Sequence, residues 1–174
     1  MTDRANPNIL ITGTPGTGKT STAAQVAALS GLRHICVGDW VKEHSLHSGW
    51  DEEHQCYLLD EDKVCDALED LASEGGCIVD HHGCDFFPER WFDLVVVLQT
   101  DNTLLYDRLA ARGYGPSKVQ ENVQCEIMMV VLEEARDSYR EEVVQALRSD
   151  TAEQLEANVS QLVAWVKQFQ AQHA

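Results

Sequence analysis

The sequence predicts an α/β fold in which helices cover both faces of a five-stranded parallel sheet. Short apolar segments alternate along the chain with segments of helical periodicity, an order typical of parallel sheets. Residues 94–98, Leu-Val-Val-Val-Leu, are apolar throughout, as expected for a strand that is covered on both faces. A glycine-rich loop at residues 13–20 lies between the first apolar segment and the first helix. The order of strand, glycine loop and helix is typical of a phosphate-binding fold.

The glycine-rich loop reads Gly-Thr-Pro-Gly-Thr-Gly-Lys-Thr and fits the pattern G-x-x-x-x-G-K-T. Glycines let the backbone wrap closely around an anion, and the N–H groups of the following helix point at it. In this pattern Lys19 reaches the β- and γ-phosphates of a nucleotide, and the Thr20 hydroxyl holds Mg²⁺. The residues assigned to the phosphates and to magnesium are Gly13, Gly16, Thr17, Gly18, Lys19, Thr20 and Ser21. The loop therefore predicts a three-layer P-loop NTPase fold, with ligands at the carboxyl ends of the strands.

Glycines and capping residues define the elements of the first third of the chain. Residues 8–12 are the first strand, and the helix after the loop ends before Gly31, which suits the position that follows a helix. Residues 33–37 are a second strand. A helix is expected over residues 39–47, because Asp39 is a natural N-cap. Residues 48–59 have no clear periodicity and are expected to form a surface excursion.

The middle of the chain continues the alternation of helix and strand. A helix begins at Asp60, and its apolar residues are spaced to form one buried face. Residues 77–80, Cys-Ile-Val-Asp, form a buried strand that ends in a carboxylate. After a loop and the strand at 94–98, Asp101 or Asn102 caps a helix that runs to Arg112.

The last third contains a long helix, a strand and a terminal helix. The long helix is expected over residues 117–140. Residues 143–147 either continue that helix or form the last strand, and the strand is favoured because a doubly wound sheet needs one there. Thr151 and the glutamine three residues later fit a capping box, which starts a helix to about residue 170. No repeat or linker divides the chain, so one domain is expected over residues 1–174.

Composition and charge limit the classes of function. No apolar run approaches the roughly 20 residues that a membrane span needs, and the first residues do not form a signal peptide. The six cysteines contain no C-x-x-C pair and are expected to be reduced thiols. The formal net charge of −16 opposes direct binding of nucleic acid. It would attract a basic protein partner, although a solvated acidic surface without a partner explains the charge equally well.

Several absences narrow the class of nucleotide enzyme. The sequence has no Asn-Lys-x-Asp stretch, which disfavours a guanine-specific GTPase, and it is too short and too acidic for a helicase. A small kinase-like protein remains. Residues 36–59 and 111–121 are candidate closing segments, because phosphoryl transfer must exclude water from the nucleotide. The first is the candidate NMP-binding segment and the second the candidate lid.

Three stretches resemble adenylate kinases, and longer ones resemble one branch of them. Gly38-Asp39-x-x-Lys42 is similar to a G-D-x-x-R segment that binds the acceptor nucleotide in adenylate kinases. Phe-Pro-Glu-Arg at 87–90 is similar to an F-P-R stretch of the same enzymes, and Arg-Leu-x-x-Arg at 108–112 is similar to the start of their lid. The closer resemblance is to the adenylate kinase isoenzyme 6 family, the coilin-interacting nuclear ATPase, over nearly the whole chain. The stretches that carry it lie at residues 13–16, 57–62, 79–91, 112–114 and 122–127.

This resemblance implies reversible transfer of a phosphoryl group from ATP to AMP with Mg²⁺, together with ATP hydrolysis. It also implies a role in small ribosomal subunit maturation, a basic small-subunit ribosomal protein as partner, and a nuclear as well as cytoplasmic location. A monomer is expected. The alternative function is an ATP-gated assembly factor, an ATPase that acts on a ribosomal protein and has little metabolic kinase role.

The remaining site residues each have a functional and a structural interpretation. Asp80, at the end of an apolar strand, fits a carboxylate that orders magnesium or water, or else a cap or salt bridge. His82 resembles the family's functional histidine, although a lone histidine is more often structural. Arg112 is expected on the transferring phosphate and Arg90 on the acceptor phosphate, or each in a surface ion pair. The acceptor residues are Gly38, Asp39, Lys42 and Arg90.

Two departures from ordinary adenylate kinases affect these expectations. Lys42 occupies the position of an arginine, and lysine cannot make a planar two-pronged contact with phosphate. A weaker or less selective hold on the acceptor is therefore expected. The lid segment contains no cysteine, so the four-cysteine zinc site of some adenylate kinases is not expected.

Overall fold

The computed structural model describes residues 3–53 and 56–174. Its strands are β1 (Ile9–Thr12), β2 (Arg33–Cys36), β3 (His47–Asp51), β4 (Cys56–Leu59), β5 (Cys77–Asp80), β6 (Leu94–Gln99) and β7 (Val144–Arg148). Its α-helices are α1 (Lys19–Ser30), α2 (Val37–Glu43), α3 (Glu61–Glu74), α4 (Asn102–Ala111), α5 (Pro116–Ile127), α6 (Val130–Ser138) and α7 (Ala152–Gln172). Short 3-10 helices lie at Glu89–Trp91 and Glu141–Val143. Within the described residues, no helix is both long and apolar enough to cross a membrane.

Five parallel strands form the main sheet in the order β2-β5-β1-β6-β7, which confirms the predicted α/β fold. Strand β1 is central, because Ile9 lies opposite Ile78 on one side and Leu94 on the other. All five carboxyl ends meet at one edge of the sheet. The glycine-rich loop follows β1 and therefore lies in the middle of that edge.

The two faces of the sheet have separate hydrophobic cores. Ile9 and Ile11 of β1 pack with α1 and α7, whereas Leu10 packs on the other face with α2, α3 and α6. This alternation follows from the period of two along a strand. Each fully buried aliphatic side chain stabilises the fold by roughly 1.5–3 kcal/mol. Helices α4 and α5 contact each other through a smaller third cluster built on Leu105, Leu109 and Val119.

The segment predicted as a surface excursion, residues 48–59, lies at the surface, but part of it folds as an antiparallel hairpin of β3 and β4 that the sequence did not predict. Trp50 lies directly opposite Tyr57, and their rings meet edge to face with centroids 5.0 Å apart. Such cross-strand pairs stabilise a hairpin through contacts between residues distant in sequence. A pattern of periodicity within one strand does not reveal them.

Two helix predictions also have wrong boundaries. Helix α2 begins at Val37 with Cys36 as its N-cap, so Asp39 lies inside the first turn, and the helix ends at Glu43 because Ser45 takes a left-handed conformation. Asp39 is still favourable there, because it lies close to the positive end of the helix dipole. The expected long helix at 117–140 is divided into α5 and α6 at Met129, which has φ 55°.

The last strand and the N-caps of three helices agree with the sequence prediction. Strand β7 pairs with β6 over residues 144–148, so this stretch is a strand and not the end of a helix. Asp60 accepts a hydrogen bond from the Lys63 N–H at the start of α3, and Asp101 caps α4. Thr151 caps α7 by accepting from the Gln154 N–H. Side-chain caps of this kind are local and can be recognised from sequence.

Candidate phosphate-binding site

The loop between β1 and α1 has the close backbone turns that the glycine pattern predicts. Gly13 and Gly16 have φ values of 151° and 94°. A Cβ added at Gly13 would lie 2.7 Å from Thr17 Oγ1 and 2.8 Å from the Leu98 carbonyl oxygen. At Gly16 it would lie 2.9 Å from a Leu105 methyl carbon. Both positions therefore require glycine for steric as well as conformational reasons.

Lys19 lies against the loop, and its ammonium donates a hydrogen bond to the Thr14 carbonyl oxygen at 3.2 Å. Burial lowers its pKa to about 8, and the nearby Arg112 adds to that effect, whereas Asp80 and Glu126 oppose it. Most of the ammonium is still charged at pH 7. A bound polyphosphate would offset the cost of burying the charged ammonium, because it places negative charge beside Lys19. Lys19 is thus a partly buried cation suited to binding phosphate.

Thr20 and Asp80 lie together, as the sequence predicts for a magnesium site. The Thr20 hydroxyl donates to Asp80 Oδ1 at 3.0 Å. They meet because β5 is the direct neighbour of β1, with Asp80 opposite Ile11, so Asp80 ends its strand beside the loop. Asp80 is buried. Hydroxyl and carboxylate oxygens are the ligands that Mg²⁺ prefers, and they fit an ion that phosphate oxygens and water complete.

Within residues 3–53 and 56–174, no cluster of three or more acidic, histidine or cysteine side chains could hold a metal ion alone. Proteins usually bind Mg²⁺ through one or two carboxylates together with the phosphates of the substrate.

His34 belongs to this site although the sequence did not indicate it. Its Nε2 atom donates a hydrogen bond to Asp80 Oδ2, the carboxylate oxygen that Thr20 does not use. The contact arises because β2 runs parallel to β5. The register of these two strands, whose paired residues such as Arg33 and Cys77 are 44 positions apart, cannot be read from sequence, so no local signal points to the contact of His34 with Asp80. His34 fixes the orientation of Asp80.

His81 and His82 follow Asp80 directly and continue the same edge of the sheet. Their rings lie 4.3 Å apart, and His81 also packs against Phe86. Burial lowers the pKa of His81 well below its usual value, and His82 and Lys19 add to this. His82 is more exposed, and partial loss of hydration, together with Lys19 and Lys118, lowers its pKa as well. Both imidazoles are therefore neutral at pH 7 and can orient a water or hydroxyl group.

Arg112 lies on the other side of the loop. A cleft of about 440 Å³ is lined by Gly16, Gly18, Ser21, Arg108, Ala111, Arg112, Ser149, Thr151, Ala152 and Leu155. Arg112 ends α4 there and is exposed, so its guanidinium can face a bound phosphate. This placement fits the predicted lid arginine, whose role stays a prediction.

Arg108, one turn before Arg112, makes hydrogen bonds to backbone carbonyl oxygens that the sequence did not predict. Its guanidinium donates to the carbonyl oxygens of Gly16, Ser149 and Asp150 at 3.3, 3.0 and 2.8 Å. It thereby ties the phosphate loop to the segment between β7 and α7. Backbone acceptors such as these leave no sequence pattern.

Arg90 is not brought to this site, contrary to the expectation that it binds the acceptor phosphate. It pairs with Glu69 of α3, which also accepts a hydrogen bond from Trp91 Nε1 at 3.0 Å. The reason is the sheet topology. Because β5 and β6 are parallel, the chain must return from carboxyl to amino edge before β6 begins at Leu94. Four residues before that strand, Arg90 lies at the amino edge, where it lines a larger groove of about 1340 Å³.

Replacing Arg90 by alanine is expected to leave the Michaelis constants for both nucleotides within about twofold of the unchanged protein. The lost ion pair is exposed and contributes at most about 1 kcal/mol to the free energy of unfolding. Steady-state kinetics and thermal unfolding check this. A large increase in the constant for the acceptor alone would restore the role that the sequence suggested.

The other predicted acceptor residues lie on α2, next to the site. Helix α2 starts directly after β2, and Cys36 at its N-cap is opposite Asp80. Gly38, Asp39 and Lys42 are exposed. Their assignment to the acceptor nucleotide stays a prediction.

Comparison with known proteins gives the same assignment as the geometry. A family model described as an AAA domain matches residues 9–129. The chain is 55% identical to the adenylate kinase isoenzyme 6 homolog of Dictyostelium discoideum, over 95% of each chain. It is 47% identical to the adenylate kinase isoenzyme 6 homolog FAP7 of Saccharomyces cerevisiae, over 98% of this chain and 87% of that protein.

Solved structures of P-loop kinases share the fold. A shikimate kinase from Acinetobacter baumannii superimposes with a TM-score of 0.64 at 17% identity, over 94% of each chain. A gluconokinase from Sinorhizobium meliloti has a TM-score of 0.58 at 19% identity, over 98% of this chain and 99% of that one. At these identities the likeness concerns the fold alone. Together with the curated relatives, the phosphate loop and its neighbouring carboxylate show that the chain is a nucleotide kinase-type protein of the adenylate kinase isoenzyme 6 family.

Proposed function

We propose that this protein transfers the γ-phosphoryl group of ATP to AMP, with Mg²⁺, and also hydrolyses ATP. The observation that carries the proposal is that the phosphate loop has different sets of side chains on its two sides. On the side of β6 and β7 lies the cleft with Arg108 and Arg112. On the side of β5 and β2 lie Asp80, the two histidines and the start of α2. These two sets of side chains support a donor nucleotide on one side of the loop and an acceptor on the other.

The roles of the residues follow from the demands of phosphoryl transfer, in which the protein supplies positioning and neutralisation of charge. Lys19 and Arg112 are the cations proposed to act on the transferring group. Thr20 and Asp80 would hold Mg²⁺, which shields the charge of the phosphates when it is bound. The neutral imidazole of His82 can orient a water molecule, which accounts for hydrolysis as a second outcome. The acceptor side has Lys42 in place of an arginine, so weak discrimination among monophosphates is expected.

The experiment that tests this function scans monophosphate acceptors. Purified protein is incubated with ATP and Mg²⁺ and with AMP, CMP, dAMP or no acceptor, and ADP and inorganic phosphate are both measured. ADP formation that depends on AMP supports the proposal. Hydrolysis of ATP at the same rate with and without every acceptor contradicts it.

Arg112→Ala is expected to slow phosphoryl transfer more than it weakens ATP binding. A hydrogen bond to a charged group is worth about 1.5–3 kcal/mol, so a cation that makes it mainly in the transition state contributes roughly 10- to 100-fold to kcat. Arg136→Ala is the matched control, because Arg136 is an exposed arginine on α6. Rapid kinetics and ATP binding are measured for both variants. A change confined to ATP affinity in the Arg112 variant would refute the assigned role.

A second function, that of an ATP-gated assembly factor, is compatible with the charge of the protein. The protein has 29 acidic and 13 basic residues, which suits a basic partner. The partner proposed is a basic small-subunit ribosomal protein, in the maturation of the small subunit, and the proposed location is the nucleus and also the cytoplasm. Capture of such ribosomal proteins that is the same with ATP, with ADP and without nucleotide would count against the gating. Exclusion of a fluorescently tagged chain from nuclei would contradict the location.

A further inference from the structure

Glu126, near the end of α5, connects the phosphate loop to two other parts of the fold. Its Oε1 atom accepts a hydrogen bond from the Thr14 hydroxyl at 3.3 Å. Its Oε2 atom accepts from the backbone N–H of Thr100 at 2.8 Å. Thr100 follows β6, so this single carboxylate joins α5, the loop and the edge of the sheet.

Thr14 transmits this contact to the phosphate-binding groups. Its side chain is held by Glu126, while its carbonyl oxygen accepts from Lys19 Nζ at 3.2 Å and from Thr17 Oγ1 at 2.8 Å. Thr14 is buried. The orientation of one buried residue therefore sets the positions of the lysine and of a second loop side chain.

The position of Glu126 is electrostatically unfavourable for a carboxylate. It lies in the last turn of α5, where the helix dipole disfavours a negative charge. Partial burial raises its pKa, although Lys19 and Arg148 favour the charged form. Residues that break local rules in this way are expected where function requires them. The alternative is a purely structural tie between α5 and the sheet.

We propose that Glu126 is a positioning residue that holds the phosphate loop, through Thr14, in the conformation that binds the triphosphate. The inference requires only that the loop binds ATP, and it holds whichever acceptor receives the phosphoryl group. Fixing the loop before binding reduces the entropy that the complex must lose. Removal of the carboxylate therefore weakens ATP binding and leaves the Michaelis constant for the acceptor unchanged.

The test measures the dissociation constant of MgATP by calorimetry for the full chain and three variants. Glu126→Ala removes both hydrogen bonds and is expected to weaken binding about 10-fold. Glu126→Gln keeps an acceptor for the Thr100 N–H and a partner for the Thr14 hydroxyl, so it is expected to stay within about threefold of the unchanged protein. Glu121→Gln is the control for charge, because Glu121 is exposed on the same helix. It is expected to have no effect.

A double-mutant cycle separates action through Thr14 from a general structural role. Thr14→Val removes the hydroxyl at nearly constant volume. If Glu126 acts through Thr14, the double variant Thr14→Val with Glu126→Ala binds ATP no more weakly than the weaker single variant. Additive losses overturn the proposal, as do unchanged affinity in Glu126→Ala or equal losses in the alanine and glutamine variants. Thr14→Val and Glu126→Gln test it even if Glu126→Ala fails to fold.

Discussion

Replacing Lys19 by alanine is expected to abolish both phosphoryl transfer and ATP hydrolysis. Lys19 is the ammonium that the Thr14 carbonyl holds beside the phosphate loop, and each activity requires the triphosphate to be bound there. Loss of a preorganised group that stabilises transition-state charge lowers kcat by about 10²- to 10³-fold. Loss of triphosphate binding adds to this, so both rates are expected to fall to background.

The Lys19 prediction is checked by measuring ADP, inorganic phosphate and ATP affinity together. Lys167→Ala is the control, because this lysine is exposed on α7, far along the chain from the loop. The control is expected to keep full activity. Retained ATP turnover in a folded Lys19→Ala variant would show that the triphosphate is held elsewhere.

Asp80→Asn is expected to have the second largest effect. Asparagine keeps the shape of the side chain and a carbonyl oxygen for Thr20, but it removes the negative charge from the predicted magnesium site. We expect kcat to fall at least about 10²-fold. We also expect half-maximal activity to require a higher Mg²⁺ concentration, because a neutral amide is a poorer ligand for a hard cation.

A titration of activity against Mg²⁺ tests this role of Asp80. Asp85→Asn is the matched control, because Asp85 is an exposed aspartate in the same connection between β5 and β6. If Asp80→Asn loses activity while its Mg²⁺ dependence stays unchanged, the carboxylate does not act on the metal. A structural role, such as the bond to His34, would then explain the loss.

The parts of the fold that could be predicted from sequence have local causes. The strand at Cys77–Asp80 is a short apolar run between two glycines and a polar loop. The caps at Asp60, Asp101 and Thr151 depend on residues within three positions. The parts that could not be predicted depend on tertiary contacts. The hairpin is held by the pairing of Trp50 with Tyr57, and the break between α5 and α6 has no glycine or proline to mark it.

The candidate site divides in the same way. The phosphate loop could be recognised because its residues are consecutive, and Asp80 because it ends a buried strand. The contacts of His34 with Asp80, of Arg108 with Gly16 and of Glu126 with Thr14 could not be predicted, since these partners lie 46, 92 and 112 residues away along the chain. The expectation for Arg90 failed for a related reason. A resemblance of four residues does not include the path that the chain takes back to the amino edge of the sheet.

The central claim is that the loop between β1 and α1 delivers the γ-phosphoryl group of ATP to AMP. The most direct measurement supplies purified protein with Mg²⁺, AMP and ATP labelled at the γ-phosphate, and follows the label. Our account predicts that label appears in ADP formed from AMP, in an amount that rises with the AMP concentration. Label found only in inorganic phosphate, released at the same rate with and without AMP, would contradict it.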